Sequence, residues 1–265
     1  MDNLMIIPRK IEQMISGKAF TANEVRMSKA KVMVFDDCVL KIGPYRKKNE
    51  KTVEVMLWLE HKLPVPKVLC YEQDAENQYL LMSRVQGKMA CDEYYMERPK
   101  ELVEGLAEGI GMLWSIDCSG CPRSRDIDTE LEEAGIRIEN HMIDMENASP
   151  GTFGKGGFKD PEDLLIWLEN NKPGYEPVLS HGDYCLPNVF LDNGRVSGFI
   201  DLEDTGIGDR WRDIALCYRS LKGNSDGTYG GKVYPDVKPD MLFDALGIRP
   251  DKDKLRYYIL LDELY

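Results

Sequence analysis

Leu179-Ser180-His181-Gly182-Asp183-Tyr184-Cys185-Leu186-Pro187-Asn188, followed by Ile200-Asp201-Leu202-Glu203, is the stretch on which the reading of this chain turns. It carries an Asp and an Asn five positions apart on one loop, then a second Asp after an apolar run. Between them, Asp192-Asn193-Gly194 is a hairpin turn signal flanked by the short β-prone runs 189–191 and 196–200. Loop Asp and Asn residues often do no more than cap turns. Here the hairpin returns a second carboxylate to the same place, and that order, H-x-D-x4-N, hairpin, apolar-D, is the order of a phosphoryl-transfer site. Such transfer needs an acceptor hydroxyl held in line and the triphosphate charge neutralised by metal. Asp183 is expected to orient the hydroxyl and take its proton. Asn188, through its amide oxygen, and Asp201 are expected to hold Mg²⁺, a hard cation that prefers oxygen. His181 is expected to buttress the loop.

Outward from this stretch the chain falls into two unlike parts. Upstream, the runs 31–35, 38–42, 68–71 and 79–82 are β-prone and broken by polar turns, with one helical stretch at 49–61 that Leu63-Pro64-Val65-Pro66 stops. This predicts a small antiparallel sheet carrying one helix. After Gln86-Gly87 the pattern turns helical, and Leu102, Leu106, Ile110 and Leu113 form its longest apolar stripe. The Gly-rich run 150–157 lacks the strand before and helix after that a phosphate loop requires, so it is expected to be a flexible surface loop. Helices are expected again from Trp211 onward.

With 34 basic and 46 acidic residues the chain carries a formal charge of −12. That field repels phosphate backbones and anionic lipid surfaces, so nucleic acid and membrane are expected to be no partners. It suits a cationic small molecule. No stretch approaches the ~20 apolar residues of a membrane helix, no secretory signal opens the chain, and seven scattered cysteines suggest reduced thiols. Cys118 and Cys121 form a lone C-x-x-C with no second pair. A cytoplasmic protein with no obligate protein partner is expected.

Several segments resemble the bacterial aminoglycoside 3'-phosphotransferases, of the kanamycin kinase kind. They are Ser180-His181-Gly182-Asp183, the run 196–202, Met56-Leu57-Trp58-Leu59 through Leu63-Pro64-Val65-Pro66 to Leu69, Leu80-Leu81-Met82-Ser83, and the run 257–264. Together they span nearly the whole chain. The resemblance implies an α+β, protein-kinase-like two-lobed fold: residues 1–82 as nucleotide lobe, 83–87 as hinge, and 88–265 as a mainly helical acceptor lobe. It implies transfer of the ATP γ-phosphoryl, with GTP open, to an aminoglycoside hydroxyl. A kinase of another small hydroxyl compound and a catalytically weak nucleotide-binding homologue are the alternatives.

Residue by residue, the resemblance places the phosphate-anchoring lysine on Lys41, a phosphate donor on Ser28 in the nucleotide-covering loop, and the adenine-reading backbone around Ser83 and Val85. The family's helix glutamate, partner of that lysine, falls on Thr52; Glu50 and Glu54 lie two residues to either side, and a local shift would bring Glu50 in. Val39 stands where the family has an aromatic that stacks on adenine. For the acceptor's ammonium groups the resemblance offers Asp262, Glu263, the Tyr265 carboxylate and Glu146. Asp204 replaces a basic position of the family, and Gly223 an acidic one.

Overall fold

The computed structural model describes residues 7–25 and 30–265. Helix α1 (Arg9–Ile15) leads into β1 (Thr21–Val25), β2 (Ala30–Val34), β3 (Cys38–Pro44), helix α2 (Lys47–Leu59), β4 (Val68–Gln73) and β5 (Asn77–Ser83). The five strands form one antiparallel sheet in the order β1-β2-β3-β5-β4. Because side chains alternate along a strand, β3 sends Cys38, Leu40 and Ile42 to one face and Val39 and Lys41 to the other. The first set packs with Ile11, Ile15, Phe35, Cys70, Tyr79 and Leu81 into a small core beneath α1. The second set is left facing a cleft.

Helix α2 lies next to the sheet in sequence, but its inner residues Val55, Met56 and Leu59 are part of the large core of the helical half. After β5 the connector is pinned on both sides. The Arg84 amide donates to the Asp37 carbonyl at 3.0 Å, and the Ser197 hydroxyl donates to the Gln86 carbonyl at 2.6 Å. Gly87, at φ +98°, lies so close to the Leu191 carbonyl that a Cβ would stand 2.4 Å from it.

The second half begins with β6 (Lys88–Met89), α3 (Glu93–Met96) and α4 (Pro99–Trp114). Pro99 opens α4 where a missing amide costs nothing. The stripe Leu102, Leu106, Ile110 and Leu113 is buried along its whole length. Next come β7 (Ser124–Arg125), α5 (Ile127–Glu139) capped by Asp126, and α6 (Pro161–Asn170) capped by Asp160. The Gly-rich run between them is a tight turn: Phe153 bridges to Phe158, which packs on Trp167 at 5.8 Å. A Cβ on Gly157 would stand 2.4 Å from the carbonyls of Gly151 and Thr152, while Gly151, Gly154 and Gly156 take positive φ in open space.

Strand β8 (Pro177–Ser180) delivers the Ser180-to-Asn188 loop. Strands β9 (Val189–Asp192) and β10 (Arg195–Phe199) then form the hairpin foreseen from its turn, with Asn193 and Gly194 both at positive φ. β6 joins β9 as a third strand, and β11 (Gly206–Asp209) pairs with β7 and β8. Helices α7 (Arg210–Ser225), α8 (Met241–Leu246) and α9 (Lys252–Asp262) complete the chain, with Asp209 and Asp251 capping α7 and α9. Among the described residues no helix is long and apolar enough to cross a membrane, and all seven cysteines are unpaired.

At the centre of the large core, Tyr184 donates its hydroxyl to the Leu106 carbonyl at 2.8 Å, in space that Gly109 leaves open on α4. Alanine is the better helix former. A Cβ at 109, however, would stand 2.2 Å from that hydroxyl. Gly109→Ala is therefore expected to destabilise by about 1–3 kcal/mol, the usual cost of overpacking. This is read as a lowered Tm, at about 2–4 °C per kcal/mol for a chain of this size.

Candidate active site

One buried carboxylate sets the shape of the loop after β8. Asp213, in the first turn of α7, accepts the Ser180 hydroxyl at 3.0 Å and the amides of His181 and Gly182 at 2.8 and 3.0 Å. From the other side, Arg212 Nε donates to the Gly182 carbonyl at 3.0 Å, and the Thr205 hydroxyl donates to the His181 carbonyl at 3.0 Å. Gly182 sits at φ +83°, where a Cβ would meet the Asp204 carbonyl at 2.3 Å. His181 is buried and structural in these contacts: Nε2 donates to the Ile200 carbonyl at 3.0 Å, while Nδ1 accepts the Asp183 amide at 3.3 Å. The two bonds together select the neutral Nε2-protonated tautomer.

Asp183 therefore rests on a fixed backbone. Its Oδ2 accepts from Asn188 Nδ2 at 2.8 Å, and the same nitrogen donates to the Asp183 carbonyl at 3.0 Å. With its amide nitrogen so engaged, Asn188 keeps its Oδ1 as a free oxygen donor. The Ile200 amide donates to the Asn188 carbonyl at 2.9 Å, which brings Asp201 beside the loop. Asp201 holds a left-handed backbone, φ 59° and ψ 61°, at the start of the short 3₁₀ turn Leu202–Asp204. Burial, and then the neighbouring charges of Asp262 and Asp201, raise the Asp183 carboxyl above the ordinary carboxylate range.

A cleft of about 610 Å³ opens between the sheet and this corner. Val39, Leu80, Met82, Val85 and Phe190 give it an apolar lining, and Lys41, Asp201 and Glu203 lie at its polar end. Lys41 Nζ is 3.2 Å from Asp201 and 2.5 Å from Glu203. Burial lowers the lysine's pKa, but these two carboxylates outweigh it and leave the value raised. One expectation needs correction here. Glu50 does not meet Lys41: its carboxylate accepts the Tyr45 hydroxyl at 2.9 Å, because it lies in the first turn of α2 and faces away from the cleft lysine. The Ser83 amide donates to the Lys67 carbonyl at 2.9 Å, and its hydroxyl accepts the Lys67 amide at 2.8 Å while keeping its own proton to donate. Val85 lines the cleft, as does Val39, and Ser28 lies outside the described residues.

On the acceptor side the acidic tail is already matched with arginines. Asp262 pairs with Arg219, and with Arg212 at 3.4 Å. Glu263 accepts the Ser149 amide at 2.9 Å and lies 3.7 Å from Arg219, with only 5% of its side chain exposed. The Tyr265 carboxyl end accepts from Arg137 at 2.7 Å, and the Tyr265 hydroxyl donates to the Glu130 carbonyl. Glu146 is exposed on the loop that carries Ser149 towards Glu263. The tail carboxylates are thus shared with Arg212 and Arg219 of α7 and Arg137 of α5, which only packing brings to the tail.

Asp213, Glu203 and Arg123 are the site residues that sequence reasoning missed. An acid just ahead of the buried run Ile214-Ala215-Leu216-Cys217 was the available signal for Asp213. Arg123 is buried, and gives no local signal at all. Its guanidinium donates to the Glu203 carbonyl, and to the Thr52 hydroxyl at 3.0 Å and the Lys48 carbonyl at 3.3 Å. Lys48 in turn pairs with Asp204 at 2.7 Å. Burial opposes it, but Lys48 and Arg125 hold the Asp204 carboxyl down at about 2.

Comparison with known proteins agrees with this geometry. A sequence profile of the phosphotransferase enzyme family matches residues 29–234. An aminoglycoside 3'-phosphotransferase of Enterococcus faecalis is 42% identical, over 82% of this chain and 78% of its own length. One of Staphylococcus aureus is 38% identical over 98% and 99% respectively. Among solved structures, an aminoglycoside 3'-phosphotransferase of type VIII superposes with a TM-score of 0.80 at 24% identity, covering 97% of both chains. An aminoglycoside phosphotransferase from Streptomyces rimosus, in complex with ADP and streptomycin, gives 0.78 at 24% identity, over 96% of this chain and 97% of its own.

The raised Asp183 pKa fixes the sign of a stability effect. The folded state holds this proton more tightly than the unfolded chain, so ionised Asp183 destabilises the fold above its folded pKa. The penalty fades as pH falls towards the unfolded value of about 3.9. In nucleotide-free and metal-free buffer, Asp183→Asn is therefore expected to raise Tm at pH 8, with a gain that shrinks on acidification. A Tm difference independent of pH between 4 and 8 would contradict this.

Proposed function

We propose, because the chain belongs to the aminoglycoside 3'-phosphotransferase family, that it transfers the γ-phosphoryl group of ATP to the 3'-hydroxyl of an aminoglycoside. One observation carries the reading. Asp183, clamped by Asn188 and raised in pKa, stands beside Asp201, whose other neighbour Lys41 faces a cleft with an apolar end and a charged end. In this reading residues 1–82 form the nucleotide lobe, 83–87 the hinge and 88–265 the acceptor lobe. The purine lies among Val39, Leu80 and Met82, with Val85 and the Ser83 carbonyl offering backbone groups to its edge. Lys41 meets the phosphates as a point charge. Mg²⁺ fits the two hard oxygens on offer, Asn188 Oδ1 and the Asp201 carboxylate, and when bound it neutralises charge on the phosphates.

Asp183 holds the acceptor hydroxyl in line and receives its proton as the new P–O bond forms and the bond to the ADP oxygen breaks. Arg212, Thr205 and Asp213 keep that carboxylate from moving. Positively charged acceptors are drawn in by the net charge of −12. The cytoplasm, where such acceptors meet ATP, is the proposed compartment.

A second reading, transfer to a different hydroxyl compound, is favoured by the arginines on the tail. An ammonium group must share Asp262 and Glu263 with Arg219, and every arginine beside a carboxylate weakens its attraction for a second cation. A panel of aminoglycosides with and without the 3'-hydroxyl separates the two. Phosphorylation only of those that carry it is expected, and no transfer to any of them would overturn the first reading. With an accepted substrate, Asp183→Ala is expected to lower turnover by roughly 10²–10⁴-fold while leaving Mg-nucleotide affinity nearly unchanged. Turnover within about tenfold of the parent, ~1.4 kcal/mol of barrier, would contradict the role given to Asp183.

A further inference from the structure

Among the described residues, Lys41 is held from one side only. Its two partners, Asp201 Oδ1 and Glu203 Oε1, both follow the hairpin, while α2 faces the same cleft through Asn49, Thr52, Val53 and Met56 without an acid. The acids that α2 does carry are occupied elsewhere, Glu50 with the Tyr45 hydroxyl and Glu54 with Lys51. The cleft-facing place on the helix is filled by Thr52, whose hydroxyl accepts from Arg123. The same guanidinium donates to the backbone carbonyl of Glu203. Helix, arginine, glutamate and lysine are thus one connected chain.

We infer that Glu203 is the positioning residue that keeps the Lys41 ammonium on the nucleotide phosphates, and that Arg123, braced on Thr52, holds Glu203 in place for this. The inference rests on the nucleotide site proposed above. Its logic is a count of donors and acceptors. Asp201 is the carboxylate a metal ion takes, and a lysine that leaned on Asp201 alone would lose its partner as the metal bound. Glu203 lies two residues on, in the 3₁₀ turn, and stays with the lysine. An ammonium has three N–H donors. One remains on Glu203, and two, including the one released by Asp201, become free for phosphate oxygens. The Lys41–Glu203 pair is then neutral overall, and the metal and the phosphates settle the remaining charge between them. The function a helix glutamate performs in other enzymes of this kind is here supplied from across the cleft.

A double-mutant cycle tests this. Glu203→Ala, Lys41→Met and the double variant are compared for MgATP Kd by calorimetric titration, and for kcat and both KM values with an accepted acceptor. If Glu203 acts through Lys41, Glu203→Ala weakens MgATP about tenfold and leaves the acceptor KM within twofold. In the Lys41→Met background it then adds no further loss. Equal losses in both backgrounds, or a Glu203→Ala variant with MgATP Kd and kcat within twofold of the parent, would overturn the inference. The titration needs no acceptor, so a failure of the proposed transfer reaction and a failure of this inference give different results. Arg123→Lys, which keeps the charge but not the forked contacts, is expected to reproduce part of the Glu203→Ala loss. No change in MgATP Kd there would remove Arg123 from the arrangement.

Discussion

The geometry of the site depends on a carboxylate that never reaches it. Asp213 is fully buried and takes three hydrogen bonds from consecutive residues of the Ser180-His181-Gly182 segment. Hydrogen bonds to a charged group are each worth about 1.5–3 kcal/mol, more than neutral ones, and an unpaired buried charge is prohibitive. The segment therefore has one arrangement that satisfies Asp213, and that arrangement presents Asp183 outward. Burial raises the Asp213 pKa while those donors lower it, so the same contacts that shape the loop also keep the acid tolerable inside the core. Asn188 and Asp201 are then placed by ordinary backbone pairing across the hairpin.

What was legible in the sequence was what local chemistry encodes. The Asp192-Asn193-Gly194 turn sets a hairpin because two residues there must take positive φ, and that hairpin carries Asp201 back to Asn188. The buried stripe on α4 and the alternation along β3 follow from periodicity, and alternation alone puts Lys41 on the cleft face. The illegible part consists of long-range partners. Glu50 and Glu54 are the acids nearest in sequence to the Thr52 position, but they meet Tyr45 and Lys51, while Glu203, far away in the chain, lies within reach of Lys41. Arg212, Arg219 and Arg137 could not be matched with the acidic tail by spacing, because α5, α7 and the C-terminus meet only in the packed molecule. The Gly-rich run lies mostly exposed, as expected, and its turn geometry comes from Gly151, Gly154 and Gly156 at positive φ and from the close approach at Gly157.

Charge is distributed unevenly over this acidic chain. The cleft lining pairs Asp201 and Glu203 with Lys41 at one end, and Arg84 stands at the connector. Around the tail, Arg125, Arg212 and Arg219 compensate Glu130, Asp262 and Glu263 almost one for one. Burial penalises an ion unless a partner stands close, and this explains why the enclosed tail is matched so closely.

Helix α2 has its inner face, Val55, Met56 and Leu59, built into the large core of the helical half, and Arg123 and Lys48 fasten its first turns to the segment after Asp201. In signalling enzymes of this general architecture the corresponding helix swings in and out, and its swing turns catalysis on and off. A helix rooted in the opposite lobe has no such freedom, because moving it would tear open a continuous apolar interior. Its cleft-facing residue Thr52 is in that sense tied, through Arg123, to the same segment that carries Asp201 and Glu203.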